Sequence, residues 1–214
     1  MKRLFSLLLA VLLFVNLANA QQDPKAAKIL DAMSQKYKTM KAFKADFSQT
    51  MESPSAKVKE TMEGNVLVSG DKYRLKVNGQ EVINNGKLMW TYLKDANEVT
   101  ITENDAEAES MSPGKIFEMY KKGYKYSYAG TETIDGAKYN VIELAPEDRS
   151  NPIFKVRLYI NQKDNTLKSW QMFRNNGNRY TYTIKNFQAN PTVTADAFAF
   201  NKAKYKGVEV VDLR

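Results

Sequence analysis

Phe43-Lys44-Ala45-Asp46-Phe47-Ser48 alternates an apolar with a polar side chain at every step, and that period of two decides the fold. Successive side chains of a strand point to opposite faces, so the run reads as a strand with one apolar and one wet face. Just upstream the period is different. Leu30, Met33, Tyr37 and Met40 recur at spacings of 3, 4 and 3, one apolar stripe of a helix running to about residue 41. Asp23 as N-cap and Pro24 at the first helical position open it. Lys25, Lys28, Lys36, Lys38 and Lys41 fall mostly off the stripe and read as its solvated face.

Downstream the alternation repeats. Val58, Met62, Val66 and Val68 share one parity, interrupted by Leu67, and Tyr73, Leu75 and Val77 share another. Gly70-Asp71, Asn78-Gly79, Asn84-Asn85-Gly86 and Lys94-Asp95-Ala96-Asn97 are the residue types that tight hairpins require. After Val99 and Ile101 the pattern breaks into an acidic stretch, Glu103 to Glu109. A short helix is expected next, with Ser112 as cap, Pro113 at the first position and Ile116, Phe117, Met119 and Tyr120 behind them. Strands resume at about Tyr124 and continue to Phe187. Thr194 to Ala197 reads as one helical turn, and Val208 to Val211 as a last edge strand.

The pattern predicts a mainly β fold of about ten or eleven antiparallel strands with a helical lid. A sheet that large must cover its apolar face, and two helices cannot fill it alone. The expected architecture is an unclosed half-barrel with helices across its mouth, enclosing an apolar hollow. Residues 21–214 hold eight methionines, twelve tyrosines and eight phenylalanines, which supply a soft lining for such a space.

The first twenty residues read as a leader: Met1-Lys2-Arg3 as the positive region, Leu4 to Leu17 as the apolar one, and Ala18-Asn19-Ala20 as the cleavage site. Residues 21–214 then form a single domain, and losing Lys2 and Arg3 lowers the net charge from +8 to +6. Gln21, not cysteine, follows Ala20, so a soluble, unlipidated periplasmic product is expected. With no histidine and no cysteine, a Ser-His-Asp triad, a thiol nucleophile, disulfides and His- or Cys-ligated metals are excluded.

Other motifs carry little chemistry. Ser69-Gly70-Asp71-Lys72 and Ser112-Pro113-Gly114-Lys115 match the short S-x-x-K string of penicillin-recognising enzymes, but its companion strings are absent. Glu103, Asp105, Glu107 and Glu109 lack calcium-loop spacing. No cofactor site is expected. Basic charge interleaved with aromatics suits nucleic acid superficially, yet export argues against that partner.

Four stretches resemble one family, the outer-membrane lipoprotein carriers of the periplasm. Phe43-Lys44-Ala45-Asp46-Phe47-Ser48-Gln49 is similar to its F-x-A-x-F-x-Q strand opening, and Gly64 to Val68 followed by Tyr73-Arg74 resembles its G-x-L strand with an aromatic-Arg pair. Val82-Ile83-Asn84-Asn85-Gly86-Lys87-Leu88-Met89-Trp90-Thr91-Tyr92 is similar to its I-x-x-D-G-K-x-L-W-x-Y. Phe198-Ala199-Phe200 with Gly207-Val208-Glu209-Val210 resembles its closing strings. The resemblance implies an open barrel that takes the acyl chains of lipoproteins from an inner-membrane ATP-driven (ABC) transporter and carries them to the outer membrane, with an acceptor there that the sequence does not identify. It breaks at Ser69-Gly70-Asp71, where better-known members have an Arg-Pro that helps latch the lid. Arg74 is the candidate substitute for gating.

On this reading Phe47, Val66, Val68, Tyr73, Leu75, Trp90, Tyr92, Ile116, Phe117, Met119 and Tyr120 line the cavity or its lid, and Trp90→Asp is expected to abolish acyl binding. The chain is read as a monomer and not an enzyme. A lipoprotein-sensing module and a carboxylate-dependent envelope hydrolase remain the alternatives.

Overall fold

The computed structural model describes residues 22–104, 113–114 and 116–214. Residues 1–21, which include the expected leader, most of the acidic stretch, and Ser112 and Lys115 of the second S-x-x-K string lie outside the described residues.

Helix α1 spans Pro24–Lys38, and Asp23 caps it by accepting from the backbone N–H groups of Lys25 (2.8 Å) and Ala26 (3.2 Å). Lys36 and Lys38 in its last turn suit the negative end of the helix dipole. Its buried stripe, Ala26, Leu30, Met33, Ser34 and Tyr37, lies against the sheet.

Twelve strands follow: β1 (Phe43–Ser53), β2 (Val58–Ser69), β3 (Lys72–Val77), β4 (Gln80–Asn84), β5 (Leu88–Leu93), β6 (Glu98–Glu103), β7 (Tyr124–Ile134), β8 (Ala137–Pro146), β9 (Ile153–Asn161), β10 (Leu167–Arg174), β11 (Arg179–Ala189) and β12 (Glu209–Asp212). They form one unclosed sheet in the order β12-β6-β5-β4-β3-β2-β1-β11-β10-β9-β8-β7. Consecutive hairpins build two halves, β2–β6 and β7–β11, and β1 joins them by pairing with β2 on one side and β11 on the other. The result is an open β-barrel with a helix as its lid, as the periodicity predicts.

Three details differ from expectation, the first being a sheet of twelve strands where about ten or eleven are expected. Residues 113–114 and 116–118 form turns and Met119–Lys121 a single 3-10 turn, where the sequence predicts a short α-helix. Gly114 follows Pro113 directly, and a glycine in a first turn weakens helix formation. The last strand is also parallel to its neighbour, with Val210 opposite Val99. A parallel partner needs a long crossover, and residues 190–208 provide it by crossing the face of the sheet opposite the helix.

Edge strand β7 is sealed by the residues that lead into α1. Gln22 donates to the Tyr124 carbonyl (2.9 Å) and accepts from the Tyr126 N–H (2.9 Å), while Asp23 accepts from the Tyr128 N–H (2.8 Å). Asp23 thus caps the helix and blunts a sheet edge at once. Its carboxyl is held below the usual range, chiefly by the Tyr128 N–H.

The pH profile of stability follows from such groups. Glu118, hydrogen-bonded by Lys38, and Glu143, by Arg157, are lowered likewise, so their stabilisation is present at neutral pH and is lost as pH falls through the lowered values. Burial raises the hydroxyl groups of Tyr37, Tyr120 and Tyr182, so stability also declines once unfolded tyrosines ionise above about pH 10. Between those limits no histidine or cysteine titrates. Thermal melts should give a constant Tm from about pH 6 to 8 and a fall below about pH 4.

Candidate functional site

The face of the sheet beneath the helix, the inner face, carries the main core. Phe43, Ala45 and Phe47 of β1, Val66 and Val68 of β2, Tyr73 of β3, Ile142 and Leu144 of β8, and Val156, Leu158 and Ile160 of β9 are buried there with Leu30 and Met33 of α1. The core is not filled evenly. Between the helix layer and the middle strands lies a cavity of about 410 Å³, within the range of roughly 300–1,000 Å³ usual for small-molecule sites. Its walls are Phe43, Ala45, Phe47 and Gln49 of β1, Val66 of β2, Tyr73, Leu75 and Val77 of β3, Val82 of β4, Trp170 and Met172 of β10, and Tyr182 and Ile184 of β11. Pro113, Ile116 and Phe117 close it from the helix side. Gln49, the hydroxyl groups of Tyr73 and Tyr182 and the indole N–H of Trp170 are the polar side-chain groups of the lining residues.

The lid is a composite of α1 and residues 116–121. The rings of Phe117 and Tyr37 stack with centroids 3.4 Å apart and planes at 8°, and Phe43 meets Phe117 edge-on at 5.6 Å. The Tyr120 hydroxyl donates to Asp31 (2.7 Å), and Glu118 pairs with Lys38 (2.7 Å) and Lys121 (3.1 Å). The contact between lid and sheet is otherwise mostly apolar, with one buried polar tie, the Leu167 N–H of β10 donating to the Tyr37 hydroxyl (3.1 Å). A second pocket of about 270 Å³ opens beside the end of α1, and Phe43, Tyr73 and Phe117 belong to the walls of both.

Of the residues singled out in the sequence, Phe47, Val66, Tyr73, Leu75, Ile116 and Phe117 meet at the main cavity. Val68 lines the second pocket, while Met119 and Tyr120 pack into the surrounding core. Trp90, Tyr92 and Arg74 are not brought there. Val82, a cavity wall, stands opposite Thr91, so Trp90 and Tyr92 point to the outer face. Trp90 stands opposite Ile83 there. The ring of Tyr92 lies 4.7 Å from that of Tyr205, in the C-terminal crossover. Arg74, between inward Tyr73 and Leu75, also faces outward. It reaches Glu81 (3.2 Å) and donates to the Ala199 carbonyl (3.0 Å), which fastens the crossover and not the helix. Ser69, at the position of the family's arginine, donates its hydroxyl to the Lys41 carbonyl just past α1 (3.1 Å).

The β10–β11 wall, Trp170, Met172, Tyr182 and Ile184, is not among the residues singled out in the sequence. Their shared parity within each strand was the available signal. Gly64 stands out in the sequence only as part of a motif, and its role is steric. A Cβ there would sit 2.5 Å from Phe47 Cζ and 2.7 Å from the Lys76 carbonyl oxygen. Gly64 therefore leaves the room that the Phe47 ring, a cavity wall, occupies. Gly64→Ala should cost about 1–3 kcal/mol, the usual penalty of overpacking, read as a lowered midpoint in urea.

The class these features define is an open β-barrel with a helical lid and an apolar cavity between them. The chain belongs to the family described as outer membrane lipoprotein carrier protein LolA, whose profile matches residues 38–201. Among solved structures, an uncharacterized conserved protein from Thermus thermophilus aligns with a TM-score of 0.60 at 14% identity, over 88% of this chain and 99% of that one. The lipoprotein LppX of Mycobacterium tuberculosis aligns with a TM-score of 0.50 at 14% identity, over 81% of this chain and all (100%) of that one. A LolA superfamily protein from Nitrosomonas europaea covers 82% of this chain and 97% of its own at 15% identity, with a TM-score of 0.44. These likenesses concern the fold. A search of curated proteins finds no match. No helix among the described residues is long and apolar enough to cross a membrane.

Proposed function

We propose that this protein is a periplasmic carrier that shelters lipoprotein acyl chains in the cavity beneath α1 and moves them from an inner-membrane ATP-driven transporter towards the outer membrane. The observation that carries this reading is the apolar cavity of about 410 Å³, held between the sheet and the helix layer that covers it. Family membership and the leader-like first twenty residues support it.

The energetics explain why such a carrier is needed. An acyl chain of about fifteen methylenes loses on the order of 12 kcal/mol in passing from lipid to water, at ~0.8 kcal/mol each. An apolar lining replaces the bilayer. A methylene is about as large as the ~30 Å³ share of a water molecule, so the cavity as it stands suits one such chain. A multiply acylated anchor requires the lid to lift, and the cost of lifting it keeps binding reversible.

The test is a fluorescent tri-acylated lipopeptide and its non-acylated counterpart. A carrier forms a one-to-one complex with the first only and passes it to acceptor vesicles. A protein that binds the lipopeptide but never releases it is a sensor, and one that cleaves it is an enzyme. Either outcome overturns the proposal.

A further inference from the structure

Three residues of the cavity wall form one row across the sheet. Gln49 of β1 stands opposite Tyr182 of β11, and Tyr182 stands opposite Trp170 of β10. The rings of Trp170 and Tyr182 stack with centroids 4.7 Å apart and planes at 4°, which fixes where the phenol points. Among the described residues, neither the Gln49 amide nor the Tyr182 hydroxyl has a hydrogen-bond partner. Both nevertheless line a cavity whose other walls are almost wholly hydrocarbon.

That placement is costly for a ligand without polar atoms. A hydrocarbon filling the cavity would strip water from the amide and the hydroxyl and leave them unpaired. A ligand carrying a carbonyl at this row would pair them instead. We propose that the cavity selects acyl chains through their carbonyl linkage, ester or amide, with the Gln49 amide N–H donating to the carbonyl oxygen and the Tyr182 hydroxyl as a second donor. This deepens the carrier reading and rests on it.

The row also sets a direction. Gln49 lies six residues along β1 from Phe43, roughly 20 Å at ~3.3 Å per residue. The carbonyl is held at the far end of the cavity and the methyl end of the chain runs towards Phe43 and Phe117. Gln49 is therefore a specificity-determining residue rather than part of the greasy wall.

The experiment compares three pyrene-labelled probes of equal chain length: a methyl ester, an N-methyl amide and an alkane. Wild-type protein should bind the ester and amide more tightly than the alkane. Gln49→Leu should weaken both carbonyl probes about tenfold while the alkane binds as well or better, and Tyr182→Phe should act in the same sense but less. If Gln49→Leu does not fold, judged by circular dichroism, Gln49→Met takes its place. Equal effects on all three probes, or none, would overturn the proposal and leave the carrier reading standing. Failure of wild-type protein to bind any probe would end both.

Discussion

Leu75→Asp should lower affinity for a fatty-acyl probe by about a hundredfold or more while the protein stays folded. Leu75 lies mid-wall on β3, half-buried and facing the cavity. A carboxylate there retains water in the empty cavity, so folding tolerates it. Bound hydrocarbon would remove that water and leave the charge without a partner, a penalty of several kcal/mol. Trp90→Asp supplies the contrast. Because Trp90 faces outward, its replacement should leave acyl affinity unchanged, whatever it does to stability through its neighbour Ile83. Equilibrium titration of both variants, each checked by circular dichroism, distinguishes a loss at the cavity from a loss of fold.

Phe117→Ala should act on stability and capacity together. The ring is 4% exposed, stacked on Tyr37 and edge-on to Phe43. Truncating a buried phenylalanine costs about 3–5 kcal/mol, or a Tm lower by roughly 10 °C for a domain of this size. Phe117 is also a shared wall of the two pockets, so its removal joins a space of about 410 Å³ to one of about 270 Å³. The variant should therefore favour longer acyl chains than wild type does. Calorimetry reads the first effect, and a series of chain lengths reads the second.

The sheet was legible because its signal is local. Alternation along β1 and β3 and the Asn78-Gly79 turn each state a strand or a hairpin without reference to the rest of the chain, and Asn78 and Gly79 both take the positive φ that this turn requires. The helix was legible for the same reason, through Asp23, Pro24 and the stripe from Leu30 to Tyr37. What local patterns do not carry is which face of a strand lies inward when both faces are apolar. Strands β4 and β5 show this: Val82 and Met89 alternate with Ile83 and Trp90, and the periodicity is silent between them.

The choice between those faces is made far away in sequence. The crossover at residues 190–208 covers the outer face of β3–β6, burying Ile83, Val99, Phe198 and Val208, so that large apolar side chains belong on both sides there. Arg74 could have been excluded from the cavity by parity alone, since Tyr73 and Leu75 flank it. The β10–β11 wall was hidden for another reason. It meets β1 only through a pairing of residues more than a hundred positions apart, with a bulge at Asp46/Phe47 that shifts the register.

The cavity itself can be addressed by its own fluorophore. The chain has two tryptophans, Trp170 in the cavity wall and Trp90 on the opposite face. Palmitate brominated along its chain quenches an indole only at close range, so single-tryptophan variants report where the chain lies. Quenching of Trp170 in a Trp90→Phe protein, with Trp90 unquenched in a Trp170→Phe protein, is the result expected if hydrocarbon enters beneath the helix. Quenching of Trp90 in preference, or of neither, would show that the space between helix and sheet does not receive it.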